Sequence, residues 1–184
     1  MPPRTPVYQL KITLQESDPP IWRRVLVPGN LTLNKLHEVI QIAMGWEDYH
    51  LHQFTVGETS YSTPHPEDYV EYADERRARL NRLLTEPNAS MLYEYDFGDS
   101  WGHVVELEEI IRPELMLLSP VCIAGERAGP PEDSGGIWGY EHFQEAMGDP
   151  KHPEHREMRA WIGGDFDPAA FDLATINAHL QRLR

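Results

Sequence analysis

The chain has 184 residues, with 16 basic against 30 acidic side chains and a net charge of −14. That balance repels phosphate backbones and anionic lipid, so nucleic acid is a poor partner for it. No apolar run approaches the 18 or so residues of a membrane span, no leader-like segment opens the chain, and a lone Cys122 cannot form an internal disulfide. Together these point to a cytoplasmic protein without a membrane partner, and the length suits a single domain over 1–184.

Taken in order, residues 7–14 alternate Tyr8, Leu10, Ile12 and Leu14 with Gln9, Lys11 and Thr13, the pattern of a strand with one buried face. A return strand is expected over Ile21–Val27, ended by Pro28-Gly29. Thr32 is placed to cap a helix carrying Leu33, Leu36, Val39, Ile40 and Ala43 at helical spacing, and Gly45 to close it in a left-handed conformation. A strand follows from His50 to about Gly57, then a loop, then a polar helix over roughly 66–84 containing Arg76, Arg77, Arg79 and Arg82.

Tyr93 to Ile110 is the densest stretch of chemistry. Tyr93, Tyr95 and Phe97 alternate with Glu94 and Asp96, Gly98-Asp99-Ser100 is turn chemistry, and Trp101, His103, Val105 and Leu107 alternate on the return. The spacing predicts a hairpin. Residues 111–136 read as a mostly irregular, Pro- and Gly-rich connection, and a loop of that length is more often functional than idle. From about Gly139 the chain is helical: short helices to Met147 and from Pro153 to Trp161, a turn at Asp167-Pro168, and a terminal helix capped by Asp172 with the stripe Leu173, Ile176, Leu180, Leu183. Hairpins followed by segregated helices argue an α+β fold built on an antiparallel sheet, and strand–strand–helix–strand is the opening order of a β-grasp.

Five stretches, in this order, resemble the plasmid pRiA4b ORF-three-like domain family: "PPIWRR" (19–24), "MGWEDYHLHQF" (44–54), "YDFGDSWGH" (95–103), "GPPEDSGGIWGYEHF" (129–143) and "FDPAAFD" (166–172). The resemblance spans nearly the whole chain. It implies an α+β domain of bacteria and archaea, often carried on plasmids or beside transposons, with no established activity and in some members a resolvase label. Many members read Cys-Pro-Pro-Glu-Asp-Cys where this chain has Gly129 to Ser134. A soft-metal site built on those two thiols would be missing here.

Candidate site residues fall into three sets. Glu132 and Asp133 lie on a Gly-rich loop able to approach a ligand or offer oxygen to a hard cation, with Asp96, Asp99 or Asp165 as further ligands; ordinary turn chemistry is the alternative. His50 and His52 share a strand face, which gives metal-ligand spacing for a divalent ion if His103 completes the set, and otherwise two bonded core histidines. Five tryptophans, several beside acids, suit either an acidic aromatic cleft for a small cationic ligand or a core whose indoles bond carboxylates.

The arginine cluster reads as a solvated helix face paired with Asp74 and Glu75. Cys122 has no electropositive neighbour in sequence, and the serine of "GDSWG" sits between strands rather than at a strand-to-helix elbow, so neither suggests a nucleophile. The resolvase label also lacks its chemistry, because no nucleophile lies among the arginines.

The sequence therefore favours a non-catalytic binding or interaction module for a protein or small cationic ligand. Its expected ligand-binding residues are Tyr95, Asp99, Trp101, His103, Glu132 and Asp133, with His103 expected within reach of the Glu132–Asp133 loop. A metal-dependent hydrolase and a nucleic-acid-contacting accessory of a mobile element are the alternatives.

Overall fold

Alternation decides which face of each strand turns inward, and here it assembles one large sheet with helices on its apolar side. A computed structural model describes residues 5–65, 70–112 and 117–183. The strands are β1 (Val7–Leu14), β2 (Trp22–Pro28), β3 (His52–Val56), β4 (Thr59–Ser62), β5 (Ala73–Asp74), β6 (Ser90–Tyr95), β7 (Trp101–Ile111) and β8 (Val121–Glu126). The helices are α1 (Leu33–Met44), α2 (Leu80–Leu83), α3 (Gly136–Gly148), α4 (His155–Ile162) and α5 (Leu173–Leu180).

The eight strands form one sheet in the order β5-β4-β3-β6-β7-β1-β2-β8, antiparallel except for the β4–β5 pair. The fold is α+β, as the sequence indicates. The chain opens β1, β2, α1, β3, and the β6–β7 hairpin separates β3 from β1 in the sheet.

The inner face carries Leu10, Ile12, Val25, Val27, Phe54, Tyr93, Tyr95, Trp101, Val105 and Leu107, all buried. Helix α1 covers it with Leu33, Leu36, Val39, Ile40 and Met44. Burying each such side chain contributes about 2 kcal/mol, which holds a 12-residue helix that would be marginal alone. Gly45 ends α1 at φ 85°, the left-handed cap its position predicts. The outer face is polar: Arg24 clamps Glu108 through two bonds of 2.6 and 2.7 Å, and Gln9 joins the same carboxylate at 2.8 Å.

Helix α5 returns to the body. Leu180 is fully buried, Ile176 and Leu183 pack on the core, and Leu173 stays at the rim. Asn177 docks on β8 like a missing strand partner. Its Oδ1 accepts from Cys122 N and its Nδ2 donates to Cys122 O, both at 2.8 Å. Asp172 caps the helix by accepting from Thr175 N, as expected from sequence.

Three expectations are corrected. The connection over 111–136 contains β8, and the loop after Gly57 contains β4, both added at or next to sheet edges. Residues Pro66–Tyr69 of the expected polar helix lie outside the described residues; in the rest of that stretch only Leu80–Leu83 is helical. There the backbone bonds α1's approach instead: Leu33 N donates to Ala78 O at 3.0 Å and Leu80 N to Leu31 O at 2.9 Å. Among the described residues no helix is long and apolar enough to cross a membrane.

Candidate functional site

The three stretches singled out in the sequence meet at the tip of the β6–β7 hairpin. The loop over 129–135 is tied there by Trp46 Nε1 donating to Pro130 O (2.8 Å), Tyr95 Oη donating to Glu132 Oε1 (3.0 Å), and Gly135 N donating to Asp99 Oδ2 (2.9 Å). Gly129 permits the close approach seen here, since a Cβ there would lie 2.1 Å from Met44 O unless the backbone shifted. The chain between α1 and β3 closes the other side, where Tyr49 N and His50 N both donate to Tyr95 Oη, at 2.9 and 3.3 Å. Burial first, and then the Glu132 carboxylate, push the Tyr95 phenol well above its ordinary pKa, so it stays a donor.

At this junction His50 Nε2 lies 2.8 Å from Asp133 Oδ1, 3.5 Å from Asp96 Oδ2 and 4.0 Å from Glu132 Oε2. The short contact is not a hydrogen bond: Nε2 is buried and has no aligned partner. Asp96 is itself buried. Its Oδ1 accepts from Gly98 N (2.9 Å) and Asp99 N (3.3 Å), which leaves Oδ2 facing His50. Asp96 and Asp133 hold left-handed backbone at φ 57° and 56°. Such strain costs about 1 kcal/mol or more per residue and gathers at binding sites.

The spacing suits a shared cation. Donors about 2.1 Å from one ion, at tetrahedral to octahedral angles, stand roughly 3.0–3.4 Å apart. The His50, Asp96 and Asp133 ligand atoms all lie within 4.8 Å of one another. With glycine at 129 and serine at 134, the loop brings carboxylates and no thiol to the set.

His103 is not part of this junction. It is fully buried, its Nδ1 donates to Trp101 O at 2.9 Å, and its Nε2 has no partner. Among the described residues its ring packs against Trp46 and Tyr93. Trp101 and His103 do share a face, but it is the core face with Val105 and Leu107, so Trp101 is likewise in the core. Burial pulls the His103 pKa down to about 4. Asp99 braces the loop, and Asp165 pairs with Arg159 at 2.9 Å elsewhere.

His52 turns to a second network that sequence reading missed. Its ring stacks on His37 at 3.5 Å, and its Nε2 meets the buried Glu75 at 2.8 Å. His37 bridges Tyr93 Oη (Nδ1, 2.8 Å) and Asp48 Oδ1 (Nε2, 2.9 Å). Because a carboxylate only accepts, Nε2 carries the proton and the Tyr93 hydroxyl donates to Nδ1, while Gln41 Nε2 donates to Tyr93 Oη at 3.0 Å. Burial and the neighbouring His52 lower the His37 pKa to about 4. His37, four residues before Gln41 on the inner face of α1, was the available signal: a polar pair within an apolar stripe.

With one largely antiparallel eight-stranded sheet and helices on its apolar face, the chain is a small α+β protein. The chain belongs to the plasmid pRiA4b ORF-3-like protein family, whose sequence profile matches residues 6–175. It is 39% identical over 173 residues to "Uncharacterized protein y4hQ" of Sinorhizobium fredii (strain NBRC 101917 / NGR234), covering 93% of this chain and 89% of that one. The crystal structure of the protein of unknown function MM3350 from Methanosarcina mazei Go1 is similar at a TM-score of 0.82 and 40% identity, over 92% of this chain and 97% of that chain.

Proposed function

We propose that the protein is a binding module whose working surface is the His50–Asp96–Asp133 junction, and that its ligand there is a divalent cation. The observation that carries this reading is the buried His50 Nε2, 2.8 Å from one carboxylate and 3.5 Å from another without an aligned hydrogen bond. A cation between the three groups satisfies all of them. One imidazole with carboxylate oxygens suits Mn²⁺, Fe²⁺ or Zn²⁺ better than a soft ion. Tyr95 and Glu47 N hold Glu132 beside the set, in the manner of groups that orient ligands from behind. Cys122, whose thiol is buried and pushed up by that burial, is no candidate nucleophile. The reading takes residues 1–184 as one domain in the cytoplasm.

Isothermal titration of chelator-treated protein with Mn²⁺ and with Zn²⁺ tests it. One ion should bind per chain, and His50→Ala and Asp96→Asn should each weaken binding at least about tenfold, in line with the loss of a ligand or its support. His142→Ala, in the separate His142–His152–Glu154 cluster, should leave that event unchanged. No saturable binding below about 1 mM, a free energy near 4 kcal/mol, overturns the reading.

A further inference from the structure

Behind the same loop, on the side away from the acids, lies a cavity of about 380 Å³. Its walls are mostly apolar: Met44 at the end of α1, Pro130, Ile162, Phe166, Phe171 and Ile176. Arg23, Asp172, Thr175 and His179 are the polar side chains of the lining. On β2 Arg23 occupies an inward position that alternation reserves for apolar residues, and it is only 2% exposed. Its Nε donates to Ala43 O (2.7 Å), and its Nη1 to Trp22 O (2.8 Å) and Glu126 O (2.9 Å). The Phe171 ring lies 5.0 Å from the guanidinium carbon. Carbonyls, a ring face and the C-terminal end of α1 steady a cation without neutralising it. Among the described residues no carboxylate pairs with Arg23, and its hydrogen bonds come from Nε and Nη1 alone, while Nη2 is not among the fully buried unpartnered atoms and so stays reachable.

A buried charge without a counter-ion stays costly even where dipoles steady it. Asp172 accepts from Thr175, N at 3.0 Å and Oγ1 at 2.6 Å, and makes no ion pair with Arg23. The cavity is within the usual range for small-ligand sites, which are mostly apolar with few placed polar groups. From these observations we infer that the cavity is a binding site for a small apolar monocarboxylic acid, its carboxylate on Arg23 Nη2 and its hydrocarbon body against Phe166, Phe171 and Ile176. A neutral or cationic molecule of the same shape leaves the guanidinium unpaired, so charge sets the selectivity. The site is separate from the His50 junction and does not depend on it.

Octanoate, 1-octanol and octylamine are probes of equal chain length and different charge. Titration followed by amide chemical shifts should give one saturable octanoate site, with the largest shifts at Phe171 and Ile176. Octanol and octylamine should bind at least about tenfold more weakly, the loss of one hydrogen bond between charged groups. Arg23→Met should reduce octanoate to the level of octanol. Ala170→Phe, which fills the cavity from a solvent-exposed position, should abolish octanoate binding while keeping the native spectrum. Equal affinity for octanoate and octanol, octanoate binding that survives Ala170→Phe, or no saturable octanoate binding overturns the inference. If Arg23→Met does not fold, the probe ratio and Ala170→Phe still decide it.

Discussion

His103 makes the fold acid-sensitive in a way that can be separated from every carboxylate. Its pKa falls from 6.5 in the unfolded chain to about 4 in the folded one, because the ring is buried and the charged form is penalised. Between those values the unfolded chain holds a proton that the folded chain lacks, so stability falls as pH drops through 6.5 towards 4. Integrating over that window gives a loss of about 3 kcal/mol at pH 4 relative to pH 7 from this residue alone. The perturbation is His103→Phe, which removes the proton uptake and also the orphaned Nε2, while giving up the 2.9 Å bond to Trp101 O. Urea unfolding at a series of pH values measures the slope of stability with pH, which does not depend on the variant's baseline. Glu108 and Asp172 have lowered pKa values and lose stability in acid in both proteins, so they cancel in the difference. The variant should be flatter by close to one proton per molecule between about pH 4.5 and 6. Parallel curves for the two proteins would show that His103 is solvated or already charged, and would refute the burial argument.

Asn177→Ala should destabilise by about 2 kcal/mol, since two 2.8 Å bonds to Cys122 are lost and a half-buried strand edge is left unpaired. That lowers Tm by roughly 4–8 °C in a chain of this size. A thermal melt within about 1 °C of the native protein would show that α5 docks by apolar contact alone. DNA binding should be absent at micromolar protein in about 0.15 M salt by fluorescence anisotropy. Arg76 is already committed to Asp74 at 2.8 and 3.0 Å, and Arg79 to Asn30 O at 2.8 Å. Sub-micromolar, salt-sensitive binding would reverse that expectation.

The elements legible in the sequence are those whose own pattern decides them. β1 and β2 alternate, α1 repeats at helical spacing and ends on a glycine, and Asp172 caps α5. β4 and β8 were not legible because a four- or six-residue segment next to prolines, glycines and a tight turn carries too little periodicity; pairing with β3 and β2 supplies what the sequence does not. The stretch around Arg76–Arg82 has helix-forming composition, yet bonds to Leu31 and Leu33 hold it mostly non-helical, a tertiary override of local preference. At the site, turn chemistry located the hairpin tip and the Pro-Pro-Glu-Asp loop. Grouping His103 with His50 and His52 overlooked sidedness: His103 shares a face with Val105 and Leu107 and is buried with them, and that clue was present in the alternation itself.

The loop over 128–133 also shows how an acidic protein keeps its acids and a buried arginine apart within a few residues. Ala128 to Pro131 wall the cavity that Arg23 lines, whereas Glu132 and Asp133 turn to Tyr95 and His50. The two prolines fix φ through the reversal, and the bonds at Pro130 O, Glu132 and Gly135 N anchor it on the far side. Among the described residues no ion pair joins Arg23 to either acid. Separation by a tethered loop therefore leaves both charges unneutralised by each other, which the proposed cation at the acids and the proposed carboxylate at Arg23 both require.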